Sequence, residues 1–295
     1  RGTSGGFSSF ICKIRRKDDS GVHLRGSELT VKIANISPFP IMDEVIDEDE
    51  DYHLVLADLL LKHREYLDFY KDRKKRGDFV IMDNMAFEKP EGTKLDVLLE
   101  ACELLGPDEV VLIDKRFDFM GTYESSVRSM EALQREGYDG QMMAVPQGRN
   151  WAEYVKCALA LAGLEGVTTI GIIEETEQWS PLGRGEVAQN LYRKLTAHGC
   201  SLEYHFLGMT ETMTDLLHPW AKSYLRGVDS AKLIVWGLYG HNITPQKVGT
   251  ERIPLYPGRP EDYFHVKYSD SVARETIRSN IAAWRHYGRS VRNRE

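Results

Sequence analysis

Residues 78–90 read DFVIMDNMAFEKP, an apolar run that resembles a buried strand and ends on Asp83 and Asn84. Buried polar groups are costly unless they have partners, so such an ending needs a reason. The same ending recurs further along the chain, because Asp114 closes EVVLID and Asp229 closes YLRGVD. The repetition predicts that the ends of several strands share one functional site.

Short strand-like runs alternate with longer runs of helical period along the chain. This alternation indicates parallel strands joined by helical crossovers. No Gly-rich dinucleotide loop follows the first strand, which favours a closed α/β barrel, a (β/α)8 TIM-like fold, over a doubly wound sheet. The strand candidates are residues 29–37, 78–83, 109–114, 141–147, 168–174, 203–209 and 224–229.

An eighth strand and the two chain ends complete the predicted organisation. Residues 52–77 read as one long helix, and we expect the eighth strand within 230–265 or within 7–15. Residues 269–288 read as a final amphipathic helix. The predicted units are an N-terminal extension at 1–28, a barrel catalytic domain at 29–240 and, in the same domain, a C-terminal segment with a closing helix at 241–295.

The composition limits the classes of function. The chain has 295 residues, of which 42% are hydrophobic and 28% charged, as in ordinary globular proteins. Its net charge of −7 argues against a uniformly basic nucleic-acid binder, although basic clusters lie at 13–17, 71–77 and 285–294. No apolar run approaches the roughly 18–20 residues that span a bilayer, so we expect no membrane partner. Cys102 and Cys157 lie in helix-like runs and are expected to be reduced core residues, which favours a cytoplasmic location.

The predicted strand ends carry a particular chemistry. In a parallel barrel these ends converge on one mouth, where the following loops build the site. Asx-turns or a helix cap explain single residues, but they do not explain the whole set. Carboxylates and an amide match the hydrogen-bonding face of guanine, and a carboxylate beneath a sugar can attack the anomeric carbon. A sugar-cleaving barrel fits this chemistry equally well. The ends are Asp83-Asn84, Asp114, Gln147-Gly148, Glu174-Glu175, Gly208-Met209 and Asp229-Ser230.

Five short motifs, in matching order and spacing, carry a resemblance to the tRNA-guanine transglycosylase superfamily. VIMDNMAFE resembles the D-S-G-G-F-Q element of the tRNA enzymes and, more closely, the D-N-G-A-F-E form of phage and bacterial DNA 7-deazaguanine transglycosylases. MAVPQG is similar to the V-Q-G strand of that family, and TIGI to its following glycine-bearing strand. HFLGM and YLRGVDS are similar to its L-M-G and G-V-D elements. The resemblance covers roughly residues 30–240.

The resemblance implies an enzyme that exchanges guanine for a 7-deazaguanine base, without a cofactor, through a covalent sugar–enzyme intermediate. It implies that Asp83 contacts the base as general acid and base, and that Asp229 is the nucleophile. Asp114 and Gln147 would read the guanine edge, and the backbone of Gly171 would approach the base. The further substrate-binding candidates are Asn84, Phe87, Gly148 and Gly208.

Three departures from the family pattern matter. The tRNA enzymes hold a structural zinc ion with clustered cysteines and a histidine, and no such cluster occurs here, which favours DNA over tRNA. The tRNA enzymes place the nucleophile three residues after the aspartate of G-V-D, where this chain has Lys232. Met85 stands at a usual glycine position.

Nucleic-acid contacts are expected from basic side chains, because the target base must leave the stack while the backbone is held. Solvated helix ends are the alternative interpretation of the basic clusters. The candidates for phosphate contacts are Arg149, Arg226, Lys232 and the run Lys71, Arg73, Lys74, Lys75 and Arg76.

The leading hypothesis is a DNA guanine transglycosylase that installs a preQ0-like base, in a phage genome and hence in the host cytoplasm. Its partners would be DNA and a free 7-deazaguanine base, and a homodimer is possible. The alternatives are the same exchange on tRNA, a glycosylase that excises the base without replacing it, and a non-catalytic barrel that binds modified nucleic acid. Lys232 and Met85 keep the last alternative open.

Overall fold

Eight parallel strands form a nearly closed barrel in the computed structural model, which describes residues 31–86, 93–251, 253–268 and 271–290. The strands are β1 (Lys32–Asn35), β2 (Tyr52–Leu56), β3 (Phe79–Asp83), β4 (Glu109–Val111), β5 (Gln141–Ala144), β6 (Val167–Ile173), β7 (Glu203–Leu207) and β8 (Leu225–Ser230). They are hydrogen-bonded in the order β1-β8-β7-β6-β5-β4-β3-β2, and every ladder is parallel. β1 and β2 lie side by side, with Cα atoms within 8 Å, but no ladder joins them within the described ranges.

Helices surround the barrel and return the chain from the end of one strand to the start of the next. Four short 3₁₀ segments, at Phe39–Ile41, Glu174–Trp179, Thr214–Leu217 and Tyr263–His265, supplement them among the described residues. The helices are α1 (Met42–Val45), α2 (Ala57–Lys62), α3 (Arg64–Arg76), α4 (Leu95–Leu105), α5 (Phe119–Arg135), α6 (Trp151–Ala162), α7 (Arg184–Ala197), α8 (Pro219–Tyr224), α9 (Lys232–Leu238), α10 (Pro245–Thr250) and α11 (Ser271–Ser290).

Local sequence signals account for the helix boundaries. The side chain of Asp118 accepts a hydrogen bond from the Gly121 amide at the start of α5, and Asn150 caps α6 in the same way. α3 ends at Gly77 and α4 at Gly106, both with the left-handed backbone that glycine adopts without strain. The strands are buried almost throughout, because helices cover the outside of a parallel barrel and side chains fill its inside.

The C-terminal helix α11 packs against α9 and β1. Trp284 is fully buried and donates a hydrogen bond from Nε1 to the Ile243 carbonyl at 3.1 Å. Near the end of the helix, a Cβ atom on Gly288 would lie 2.2 Å from the Val31 carbonyl oxygen, so only glycine fits at this crossing. The helix therefore covers the barrel beside β1. No helix in the described part of the chain is both long and apolar enough to cross a membrane.

The predicted fold is confirmed, with one correction to its strands. Residues 52–77 are not a single helix, because Tyr52–Leu56 form β2, which pairs along its length with β3. The eighth strand is therefore here, and the described part of 230–265 contains β8's last residue, helices and loops; the alternative at 7–15 lies outside the described residues. YHLVL runs directly into ADLLLK, so its apolar positions continue a helical pattern, and only pairing with β3 reveals the strand.

Candidate active site

A cavity of about 350 Å³ opens at the C-terminal ends of the strands. This volume lies within the roughly 300–1,000 Å³ that is usual for small-molecule sites. Seven of the residues to which the sequence analysis gives a role line it, although they are spread over 150 positions of the chain. They are Asp83, Asn84, Asp114, Gln147, Gly208, Asp229 and Lys232.

Asp114 lies at the centre of a hydrogen-bonded group in the cavity wall. Asn84 Nδ2 donates to Asp114 Oδ1 at 2.8 Å, and Gln147 Nε2 donates to Asp114 Oδ2 at 2.7 Å. Burial raises the pKa of Asp114 to about 6, although these two hydrogen bonds act in the opposite direction. Asp114 is therefore a fixed carboxylate that titrates within the range of ordinary assays.

The two amides that hold Asp114 are themselves anchored by backbone groups. Asn84 Oδ1 accepts from the Ala86 amide at 2.8 Å, and Asn84 Nδ2 also donates to the Leu112 carbonyl at 2.6 Å. Gln147 Oε1 accepts from the Phe117 amide at 3.1 Å. Both carboxamides thus have a fixed orientation, and their shared effect is to present Asp114 to the cavity.

Asp83 ends β3, where it stabilises the following turn and also lines the cavity. Its Oδ2 accepts a hydrogen bond from the Met85 amide at 3.0 Å, which is the Asx-turn considered for this residue, and Asp83 also lines the cavity. Met85 has φ of 58°, the left-handed conformation for which glycine is preferred. Met85 therefore has a backbone conformation that a glycine would also adopt at this position.

Asp229, near the end of β8, is held by donors from β7 and the loop that follows it. His205 Nε2 lies 3.0 Å from Asp229 Oδ1, and the Gly208 amide lies 3.3 Å from Oδ1 and 3.4 Å from Oδ2. The other ring nitrogen of His205, Nδ1, is 2.8 Å from the Tyr52 hydroxyl. Sequence reasoning missed both His205 and Tyr52. The available signal was a polar histidine inside the otherwise apolar core of EYHFL.

Lys232 is also part of the cavity wall. Its ammonium group donates to Glu174 Oε1 at 2.7 Å and to the Met209 carbonyl, and it lies 5.1 Å from the ring centre of Tyr256. The neighbouring Glu175 pairs with Arg116. Glu174 and Glu175 were recognised as a strand end without a role. The structure places them among the cavity's charged groups, together with Arg259.

Among the glycine candidates, only Gly208 lines the cavity. A Cβ atom on Gly148 would lie 2.5 Å from the Tyr154 amide nitrogen, so this glycine allows the loop after β5 to pack against α6. A Cβ atom on Gly171 would lie 2.9 Å from Leu207 Cδ1, inside the barrel core. Phe87 lies outside the described residues.

Arg226 and the run at 71–76, which are expected from the sequence to contact phosphates, lie away from the cavity. Arg226 stands at the start of β8, and its guanidinium binds Glu109 at the start of β4, inside the opposite end of the barrel. α3 runs back towards the start of β3, so its last two turns also lie at that opposite end. Arg149 is exposed after β5, on the cavity end, but it does not line the cavity.

The basic residues at the end of α3 have local partners. Arg73 is buried and donates to the carbonyl groups of Ile46 and Asp47. Lys71 is half-buried on the same helix. The remaining contacts join Lys74 to Asp108, Lys75 to Asp72 and Arg76 to the Glu48 carbonyl. The direction of α3 places these residues at the end of the barrel opposite the cavity. Their positions in the sequence alone do not indicate this.

Comparison with known proteins adds no further constraint on the function of this protein. No protein-family model matches the chain, and no curated protein matches it at a significant level. Function is therefore inferred from the cavity residues and their chemistry.

Proposed function

We propose that this protein is a base-exchange transglycosylase that replaces guanine in DNA with a 7-deazaguanine. One observation carries the proposal: three carboxylates from three different strand ends, Asp83, Asp114 and Asp229, line a single cavity of about 350 Å³. This arrangement offers one acid to recognise a base, one to attack a sugar and one to move a proton.

Asp114 is the proposed reader of the base. Guanine presents N1–H and an exocyclic NH₂ on one edge, and an ionised carboxylate accepts hydrogen bonds from both. Asn84 and Gln147 hold the two oxygens of Asp114 in place before the base arrives. A preorganised carboxylate loses little entropy on binding, so its recognition of the base is strengthened.

Asp229 is the proposed nucleophile, and the exchange proceeds in two displacements. In the first, an oxygen of Asp229 bonds to the anomeric carbon while the bond to guanine breaks, and guanine takes a proton from Asp83. In the second, the 7-deazaguanine gives a proton to Asp83 and its glycosidic nitrogen displaces Asp229 from the same carbon. Two inversions return the original configuration, as in retaining glycoside chemistry.

Cations at the cavity provide the proposed contacts to DNA. Lys232, Arg116 and Arg259 line the cavity and stand at the end of the barrel where a flipped nucleotide would enter. Positive groups beside the mouth favour the backbone phosphates that flank the target. These three residues replace Arg226 and the run at 71–76 as candidates for phosphate contacts.

The test is incorporation of a labelled 7-deazaguanine into guanine-containing single-stranded DNA. The intact chain should retain label in the DNA, and Asp229→Ala should lower the exchange rate by roughly 10³-fold or more. Asp72→Asn is the matched control, because Asp72 is an exposed acid on α3 at the opposite end of the barrel. This control should exchange at the wild-type rate.

The other outcomes identify the alternatives. Label in tRNA but not in competing DNA would replace the substrate with tRNA. Release of guanine without a replacement base would indicate an excising glycosylase. Binding with neither release nor exchange would overturn the proposed activity altogether.

A further inference from the structure

A continuous hydrogen-bonded chain runs through the barrel interior and ends on Asp229. Arg226 Nε lies 3.2 Å from the Tyr52 hydroxyl, which lies 2.8 Å from His205 Nδ1. His205 Nε2 lies 3.0 Å from Asp229 Oδ1. Tyr52, His205 and Asp229 are all buried, so solvent does not compete for these bonds. This hydrogen-bonded chain connects the end of the barrel opposite the cavity to the cavity itself.

The chemistry of the two end members fixes the direction of the bonds around a neutral His205. Arginine has only donors, so Arg226 donates and the Tyr52 oxygen accepts. The Asp229 carboxylate only accepts, so the nitrogen of a neutral His205 that carries the proton is Nε2, and Nδ1 accepts from the Tyr52 hydroxyl. A neutral His205 carries its proton on Nε2 and donates it to the Asp229 carboxylate. Each group therefore has one consistent role.

The surroundings of His205 favour the neutral ring. Burial lowers its pKa, and Arg226 acts in the same direction, against the opposing effects of Asp229 and Glu109. Tyr52 on β2, Asp229 and Arg226 on β8, and Glu109 on β4 are the titratable or charged groups that act on the ring. A neutral ring of fixed tautomer donates to Asp229 without contributing a charge.

We propose that His205 is a positioning residue, which holds Asp229 Oδ1 so that Oδ2 is directed at the anomeric carbon, while the Tyr52 hydroxyl donates to Nδ1 and supports the Nε2-protonated tautomer. The proposal rests on the function proposed above. The Gly208 amide donates a second hydrogen bond to Asp229 Oδ1 and helps to hold the carboxylate. No proton moves along the chain during the reaction, because His205 stays neutral throughout.

The kinetic test compares a substitution that keeps a donor with one that removes it. His205→Gln retains an N–H near the position of Nε2, and His205→Leu does not. We expect His205→Leu to lower kcat on the order of 100-fold with KM for DNA nearly unchanged, because misplacing a reacting group costs about this much. His205→Gln should recover most of the wild-type kcat, and the kcat of Tyr52→Phe should lie between those of the two His205 variants.

The chain offers a matched control in a second buried histidine. His53, which follows Tyr52 on β2, has Nε2 3.0 Å from Asp78 Oδ2 and lies away from the cavity lining. Its pKa is lowered by burial as well. His53→Leu removes an equivalent histidine–carboxylate contact and should leave kcat unchanged. Equal losses of kcat in the His53→Leu and His205→Leu proteins would show a general effect of core damage and overturn the positioning role.

A measurement without substrate separates this inference from the proposed activity. Nitrogen NMR of the histidine side chains should find His205 protonated on Nε2, unprotonated on Nδ1 and neutral at pH 7. A ring protonated on Nδ1, or charged at pH 7, overturns the inference even if exchange occurs. Absence of exchange in the wild-type protein would instead overturn the proposed function. If His205→Leu does not fold, His205→Gln, Tyr52→Phe and the NMR signals decide the question.

Discussion

Replacing Arg226 with methionine tests the assignment of this residue to the barrel's interior. The guanidinium donates to both oxygens of Glu109, to Thr169 Oγ1 at 3.1 Å and to Glu203 Oε2 at 2.8 Å. Glu109 is fully buried, and only 15% of the Arg226 side chain is exposed. Methionine fills most of the space, but it leaves the Glu109 carboxylate without its cation.

The expected cost follows from that stranded charge. Removing one partner of a buried ion pair destabilises proteins by about 3–5 kcal/mol, far more than the loss of an exposed pair. At roughly 2 °C per kcal/mol for a chain of this size, the Tm should fall by about 6–10 °C. Combining Arg226→Met with Glu109→Gln removes the stranded charge and should restore a large part of the loss.

Thermal unfolding followed by circular dichroism measures these changes. Arg64→Met is the control, because Arg64 forms an exposed pair with Asp68 on α3 and its loss should leave the Tm nearly unchanged. An Arg226→Met protein with wild-type stability and weakened DNA binding would refute the interior assignment. It would return Arg226 to the phosphate contacts expected from the sequence.

Three further predictions concern the cavity and the closing helix. Burial raises the pKa of Asp114 to about 6, and only the ionised form accepts N–H groups at both oxygens, so kcat/KM should rise about tenfold per pH unit as the pH approaches 6 from below. Asp114→Asn should abolish this rise, and a wild-type kcat/KM that does not increase with pH below 6 would contradict the role. Lys232→Met should raise KM for DNA and reduce the slope of log affinity against log salt by about one, whereas Lys71→Met should leave both unchanged. Gly288→Ala should lower the free energy of unfolding in urea by roughly 1–3 kcal/mol, because the added Cβ meets the Val31 carbonyl. An unchanged free energy of unfolding would show that α11 does not pack against Val31 in this way.

The sequence was most informative where one residue pattern had one structural solution. Apolar runs that stop at Asp83, Asp114 and Asp229 predicted strand ends, and the geometry of a parallel barrel then required these ends to meet. β2 was missed because Tyr52–Leu56 runs without a break into a helix, so the local pattern fits either structure. Its identity depends on pairing with β3, which is a tertiary interaction.

Basic residues were assigned less well, for a different physical reason. A cluster of lysines and arginines indicates positive charge, but it does not indicate which end of the barrel carries that charge. Lys71 and Arg76 lie in the last turns of a helix that returns to the start of β3, so they point away from the cavity. Arg226 sits three residues before Asp229, yet its position at the start of the strand places its guanidinium at the opposite end.

The two ends of the barrel are usually treated as separate, with stability at one and chemistry at the other. Here β8 contributes to both, because Arg226 binds the buried Glu109 below and Asp229 lines the cavity above. Tyr52 and His205 bridge the distance between these two residues of one strand. Arg226 therefore belongs both to the ion pair that stabilises one end of the barrel and to the hydrogen-bonded chain that reaches the Asp229 carboxylate at the cavity. On this reasoning, a barrel interior that looks purely structural helps to hold the proposed nucleophile in place.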